Sequence, residues 1–284
     1  MTNQNVDQIK DQMRKEWGGA APAWKKHDDR LQAFGGVVRD RMLDLANLAQ
    51  GKRVLDVACG TGEPAIPAAE RVAPNGSVLA TDLAAEMIDV ARDLAKQRGV
   101  KNIEFRVVDG EELPVDDNSF DALTCRWGIM FMPRSDAFVK EAHRVLKPGG
   151  RVVAVVWAGP QQNRSIALPL AVLSRHMEVP TPPPGSPGVF SFADPKRLPD
   201  MLSAAGFKDV QMEEVPLVMS DFGSGHDYWA YISEMAGPVR TLLAKLPDNQ
   251  RKQVAEEIAS EAAGGDASKP VRIPGLAMVG SGMK

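Results

Sequence analysis

The chain has 284 residues, 44% hydrophobic and 25% charged, with a net charge of −3, a balance that excludes a disordered chain and gives no broad basic field for nucleic acid. Its two cysteines, Cys59 and Cys125, exclude a disulfide scaffold and a cysteine-rich metal site, so no metal is expected. No run reaches the ~18 consecutive apolar residues of a membrane helix, and the polar start MTNQNVDQIKDQMRKEW lacks the apolar core of a signal peptide; the expectation is no integral membrane segment and a cytoplasmic protein.

Val6, Ile9, Met13 and Trp17 recur at helical spacing, which predicts a short amphipathic helix over 4–17. A second helix is expected over GGVVRDRMLDLANLAQ, with Val38, Met42, Leu45 and Ala49 on one face and Gly51 as its stop. From there strands and helices alternate: RVLDVA (53–58) and SVLATD (77–82) read as strands, EPAIPAAERVA (63–73) and AAEMIDVARDLAKQRG as helices. IEFRVVD (103–109), FDALTCRW (120–127) and RVVAVVW (151–157) continue the strands, with SDAFVKEAHRVL as a helix and KPGG (147–150) as a turn. Near-continuous β-branched runs between helices predict an α/β fold, a Rossmann-like doubly wound sheet, mostly parallel and covered on both faces.

The pattern changes after Trp157. A helix is expected over 163–178, then irregular chain through VPTPPPGSPG (179–188), then a helix with Asp194 as N-cap and Pro195 at its first position. DVQMEEVPLVMS reads as a strand, 226–263 as mostly helical, and GLAMVGSGMK as a final antiparallel strand. The organisation expected is therefore an N-terminal helical lid (1–50), a nucleotide-binding core (51–158), a cap insertion (159–207), and C-terminal strands (208–284) with a helical insertion at 222–265.

The stretch RVLDVACGTGEPA (53–65) holds a glycine turn between a strand and a helix, where a ligand lies at the carboxyl end of an open sheet. Gly60-x-Gly62-x-x-Ala65 with Asp82 further on also satisfies the dinucleotide fingerprint, so the glycines alone leave a nicotinamide cofactor and S-adenosylmethionine (SAM) both open. Asp82, ending its strand, is placed to accept two ribose hydroxyls, with a helix cap as the plainer alternative.

VLDVACGTG, ATDLAAEMIDVAR, VVDGEELPVDDNSFDAL and EAHRVLKPGGRVVAVVW together, in order over about 50–157, resemble class I SAM-dependent methyltransferases. The likeness is to the branch of ubiquinone/menaquinone-biosynthesis C-methyltransferases and related small-molecule enzymes. The resemblance implies SAM as cofactor, with Asp56 and the loop of Ala58, Gly60, Thr61 and Gly62 along its methionine part. It implies Asp82 on the ribose, Leu83 and Met87 on the adenine, and Asp109, Gly110 and Glu111 at the adenine edge. Arg126 and Trp127, in CRWG, would lie where methyl group and acceptor meet, Arg126 towards the cofactor and Trp127 towards the substrate. Trp24, in the irregular AAPAWKKHDD, either faces the sulfonium as a cation–π partner or anchors the segment to the core.

A base is needed only where the acceptor must lose a proton. His176 and His226 are the catalytic candidates and His27 a substrate-facing one, while His143 reads as structural. The insertions 160–200 and 222–265 carry Leu168, Leu173, Met177, Phe190, Phe192, Tyr228, Trp229 and Met235, of which Phe190 and Trp229 are the substrate-lining candidates. These readings predict methyl transfer to a carbon or oxygen of a small apolar or aromatic acceptor. Two rivals are a SAM-binding protein without catalysis and a nicotinamide-dependent Rossmann oxidoreductase.

Overall fold

The computed structural model describes residues 3–180, 183 and 185–284. The chain divides into two compact units: 1–158, 186–215 and 277–284 form the first, and 159–185 with 216–276 the second. The expected cap at 159–207 is thus split, because Gly188 and the Ser191 hydroxyl both bond to the Met130 carbonyl of the first unit, at 2.9 and 2.7 Å.

The first unit opens with α1 (Asn3–Lys26) and α2 (Asp28–Leu45), joined only at His27. Helix α1 runs on past the expected end at 17, straight through Gly18, Gly19 and Pro22. Helix propensity is a weak prior that packing overrides: Ala20 and Ala21 are buried in a cluster with Ala84 and Met87, flanked by Trp17 and Trp24. Trp24 is accordingly helical rather than in irregular chain. Helix α2 likewise starts seven residues before the expected Gly35, which the helix absorbs as a buried position.

The alternating segment forms β1 (Arg53–Val57), α3 (Ala65–Val72), β2 (Ser77–Asp82), α4 (Ala85–Gln97), β3 (Ile103–Val107), β4 (Phe120–Arg126), α5 (Ser135–Val145) and β5 (Leu146–Trp157). The second unit contributes α6 (Arg164–Leu173); α7 (Arg197–Ala204) belongs to the first. Then come β6 (Lys208–Phe222), α8 (Gly225–Met235), α9 (Gly237–Leu243), α10 (Asp248–Ala262) and β7 (Val271–Met283), with the far halves of β6 and β7 in the second unit.

The described strands make one sheet in the order β3-β2-β1-β4-β5-β7-β6. Strands β1 to β5 are parallel; the inner ones carry the near-continuous apolar runs of a sheet covered on both faces, whereas β3, at the edge, alternates apolar residues with Glu104 and Arg106 and is mostly exposed. β7 is antiparallel to β5, with Trp157 opposite Ala277. Chain order reverses between β1 and β4, so the crevice where such sheets hold ligands opens at the carboxyl ends of those two strands.

Three local expectations change. KPGG lies inside β5 as an irregularity, its register shifting between Phe120 and Ala122, because Gly149 and Gly150 exchange backbone bonds with Lys284. Asp194 holds the turn before α7 through Lys196 N–H at 2.9 Å; the helix itself begins at Arg197. The helix expected over 163–178 stops at Leu173, leaving His176 in the turn beyond it. Part of the proline-rich stretch (Thr181, Pro182 and Pro184) falls outside the described residues.

The second unit has its own core, in which Leu168, Val172, Tyr228, Val254 and Ile258 are buried together. The Tyr228 hydroxyl donates to the Ser165 carbonyl at 2.8 Å, and the Asn163 amide donates to Leu276 O while its oxygen accepts from Leu276 N. Among the described residues no helix is long and apolar enough to cross a membrane.

Candidate active site

Strand β1 ends in the glycine loop, where Ala58, Gly60 and Gly62 all have positive φ, +58°, +55° and +105°. Gly62 is required twice over: its φ suits only glycine, and a Cβ would stand 2.7 Å from Ile66 Cδ1. Ala58 lacks that freedom, as does Trp127 at the end of β4, with φ +57°. Left-handed backbone at a non-glycine residue costs of order 1–3 kcal/mol and gathers at functional sites. Here both strained residues flank the β1/β4 crevice.

They also meet through Gly128. A Cβ there would lie 2.4 Å from Ala58 Cβ and 2.9 Å from Cys125 Sγ. Gly128→Ala is therefore expected to destabilise the protein by about 1–3 kcal/mol, read as a lower urea midpoint with an unchanged m-value. An unshifted midpoint would mean that the two strand ends are not in contact.

On the β2 side, Asp82 is 9% exposed. Its Oδ2 accepts Gly60 N–H at 2.8 Å and its Oδ1 accepts Ala84 N–H at 2.9 Å. Burial raises its carboxyl pKa, opposed by the N–H groups of Ala84, Gly60 and Leu83. The position before α4 is Ala84, so Asp82 is no N-cap; it ties the glycine loop to the start of the helix. Each oxygen keeps a second lone pair for a ligand.

After β3, the Asp109 carboxylate accepts Lys10 Nζ at 2.5 Å on Oδ2 and Glu111 N–H at 2.9 Å on Oδ1. Lys10 also pairs with Glu111 at 2.5 Å, and Arg134 reaches Glu111 at 3.1 Å. Lys10 is buried, and its hydrogen bonds and charge pairing with Asp109 and Glu111 outweigh desolvation to raise its pKa. Met87 is buried and Leu83 half-buried beside this side of the sheet.

The other side holds buried polar atoms that find no partner among the described residues: Asp56 Oδ2, Glu63 Oε2, Arg126 Nη1, Trp127 Nε1 and, on α1, Trp24 Nε1. Register explains one pairing. Asp56 faces Thr124 across β1 and β4, and its Oδ1 accepts the Thr124 hydroxyl at 2.6 Å. Desolvation pushes the Asp56 carboxyl up to about 7, against the Thr124 hydrogen bond and the Arg126 charge. Burial lowers the Arg126 pKa, while Glu63 and Asp56 oppose that.

Arg126 Nε donates to the Glu63 carbonyl at 3.2 Å, and its guanidinium lies 4.6 Å from the Trp127 ring centroid. Trp127 stacks on Trp157 at 4.4 Å and on Phe34 at 5.9 Å. Native structures rarely leave such buried groups unpaired, because each costs about 1–3 kcal/mol. A cradle of carboxylates, a guanidinium and an indole N–H fits a ligand with ammonium, carboxylate and hydroxyl groups.

The sequence-based candidates thus separate. Asp56, Ala58, Gly60, Thr61, Gly62, Asp82, Asp109, Gly110, Glu111, Arg126 and Trp127 gather along the carboxyl ends of β1 to β4. His27 is the joint between α1 and α2, and Phe190 lies half-buried in the segment that bonds to Met130.

His176, His226 and Trp229 belong to the second unit. His176 Nε2 is 2.6 Å from Glu257 and the exposed His226 3.0 Å from Glu256, while Trp229 packs against that unit's own core. His143 stacks edge-on against Phe207, its pKa lowered first by burial.

Lys10, Phe34, Arg39, Glu63, Thr124 and Trp157 were not singled out by sequence. Two had a signal. Lys10 follows Val6 by four residues on the buried face of α1, and Thr124 is a polar break in the apolar run ALTC.

Comparison with known proteins shows what the chain is similar to. Residues 34–168 match the ubiE/COQ5 methyltransferase family. A ubiquinone/menaquinone biosynthesis C-methyltransferase of Pseudomonas putida is 40% identical over 119 residues, 42% of this chain and 46% of that protein. A demethylmenaquinone methyltransferase of Geobacillus kaustophilus is 38% identical over 122 residues, 43% of this chain and 52% of that protein.

The chain therefore spans about half the length of the curated relatives it matches. The crystal structure of the YcgJ protein from Bacillus subtilis superposes with a TM-score of 0.58 at 23% identity, covering 87% of this chain and 97% of that one. This likeness concerns the fold. The segment 34–168, which carries the glycine loop, Asp82, Asp109 and the CRWG turn, is thus the part of the chain that is similar to the ubiE/COQ5 methyltransferase family.

Proposed function

We propose that this protein is a SAM-dependent methyltransferase acting on a carbon or oxygen of a small, apolar or aromatic acceptor. The observation that carries the reading is the row of buried, unpartnered polar atoms at the β1/β4 crevice beside a glycine loop held by Asp82. When bound, SAM supplies a methyl group already activated by its sulfonium.

The protein's own residues then bind and orient. Gly60, Thr61 and Gly62 let the loop approach the methionine part, and the free Asp56 oxygen accepts its ammonium group. Asp82 accepts the ribose hydroxyls with its remaining lone pairs, and Leu83 and Met87 cover the adenine. Asp109, aligned by Lys10 and Glu111, with Gly110, frames the adenine edge. Trp24 closes on the cofactor from α1. Arg126 and Trp127 mark the boundary between cofactor and acceptor. Orientation of this kind can supply ~7–11 kcal/mol of barrier lowering.

For the acceptor, the aromatic wall of Phe34, Trp127 and Trp157 favours a flat, apolar molecule over a charged one. The quinone-pathway names of the relatives point the same way. Phe190 and His27 are the further acceptor-facing candidates of the first unit. His176 and His226 have no catalytic role in this reading, since each is paired with a glutamate of its own unit.

Calorimetric titration with S-adenosylhomocysteine, NADH alongside, tests the cofactor. One-site micromolar binding of S-adenosylhomocysteine and none of NADH is expected; the reverse would return the chain to the oxidoreductases. Transfer of labelled methyl to a panel of phenols, hydroquinones and amines then separates an enzyme from a binding protein.

A further inference from the structure

In the first unit, Glu63 follows the glycine loop with a buried carboxylate oxygen that finds no partner among the described residues. Its side chain is 7% exposed at the end of the glycine loop. Oε1 meets only Arg39 of α2, at a long 3.4 Å, and Oε2 has no partner among the described residues. Its own carbonyl is bonded to Arg126, whose Nη1 is also buried and unpartnered. Gly35 of α2 presses on that nitrogen so closely that a Cβ would stand 2.6 Å from it and 3.6 Å from Trp127 Cη2. Trp127, held between Phe34 and Trp157, keeps its indole N–H fixed and unpaired.

A proton acceptor and two donors therefore lie on three residues in contact at the point where the strand order reverses, Arg126 bonding the Glu63 carbonyl and lying over the Trp127 ring. On the methyltransferase reading, Asp82 and Asp109 on the β2 and β3 side take the adenosine, which leaves the β4 side for the methyl group and the acceptor.

We propose that Glu63 is the catalytic base, and that Arg126 Nη1 and Trp127 Nε1 form the site for the oxyanion it creates, so that the acceptor is a phenol or enol. The inference rests on the methyltransferase reading above. In the step, the O–H bond of the acceptor breaks, its electron pair stays on oxygen, and the proton bonds to the Glu63 carboxylate and later leaves to water. The charged groups facing Glu63 are Arg126 from β4, Arg39 from α2 and Asp56 from β1. Two guanidinium groups thus stand beside the two carboxylates.

The test uses the complex of the full chain with S-adenosylhomocysteine, titrated with 4-nitrocatechol and followed by absorbance in a buffer below that phenol's own pKa. The wild-type complex is expected to bind the probe and develop the phenolate band. Glu63→Gln should keep S-adenosylhomocysteine affinity within about twofold yet lose the band by at least about tenfold, the loss of one charge-assisted hydrogen bond.

Glu63→Asp, which keeps the carboxylate, should recover part of the band. An undiminished band in Glu63→Gln, or no probe binding by the wild-type complex, overturns the proposal. So does a tenfold loss of S-adenosylhomocysteine affinity in Glu63→Gln, which would put the carboxylate on the cofactor's amino-acid end. Failure of the wild-type protein to bind S-adenosylhomocysteine at all would instead bring down the methyltransferase reading itself.

Discussion

Asp82→Ala is expected to weaken S-adenosylhomocysteine binding by at least about a hundredfold. Two ribose hydroxyls donating to an ionised carboxylate contribute ~1.5–3 kcal/mol each, so their joint loss is ~3–6 kcal/mol. The side chain has a second task that raises the effect further. Its oxygens take the N–H groups of Gly60 and Ala84, and alanine would leave both donors unsatisfied at the edge of the core.

The glycine loop would then lose its tie to β2, and the urea midpoint should fall by about 1–3 kcal/mol of stability. Asp82→Asn separates the tasks. Its one remaining oxygen accepts only part of the set, so affinity should drop by roughly tenfold with a smaller stability loss. Calorimetry and urea melts on the same samples read both. Unchanged affinity in Asp82→Ala, with a lowered midpoint, would make Asp82 a tie for the loop and nothing more.

How far the sequence could be read follows from what kind of interaction decides each feature. Strands β1, β2, β4 and β5 are legible because burial on both faces imposes near-continuous apolar runs, the edge strand β3 by its alternation of apolar and charged residues, and the turn after β1 because positive φ leaves its mark as glycine. The helical run through Gly18, Gly19 and Pro22 is not, since it depends on Ala20 and Ala21 meeting Ala84 and Met87 of another helix.

The same division holds in the crevice. Residues tied to a local motif, such as Asp82 and Gly62, could be named in advance. Glu63, Arg39 and Lys10 matter through partners 24 to 99 residues away, and spacing along the chain carries no trace of such pairs. The histidines show the complementary limit: sequence marks the residue type, while their pairing with Glu257 and Glu256 within the second unit depends on partners 81 and 30 residues away.

Asp56 gives the second large expected effect, and its sign can be worked out. An unfolded aspartate titrates near 3.9, whereas burial holds the folded group at about 7. Between those values the folded state binds the extra proton, so this group's contribution to stability falls as pH rises through the window. Asp56→Asn should remove that slope and leave the ligand-free protein less sensitive to pH from about 4 to about 7.

Ligand binding runs the other way. The ammonium of S-adenosylhomocysteine, and the added sulfonium of SAM, favour the carboxylate and lower its pKa on binding. Affinity should therefore fall by up to about tenfold for each pH unit below the free-protein pKa and level off above it, with a proton released on binding at pH 6. Calorimetry in two buffers of different ionisation enthalpy counts that proton. Asp56→Asn should bind more weakly at pH 8, without the pH slope and without proton release. Proton release persisting in Asp56→Asn would transfer the titration to Asp82, the other carboxylate of the crevice whose pKa burial raises.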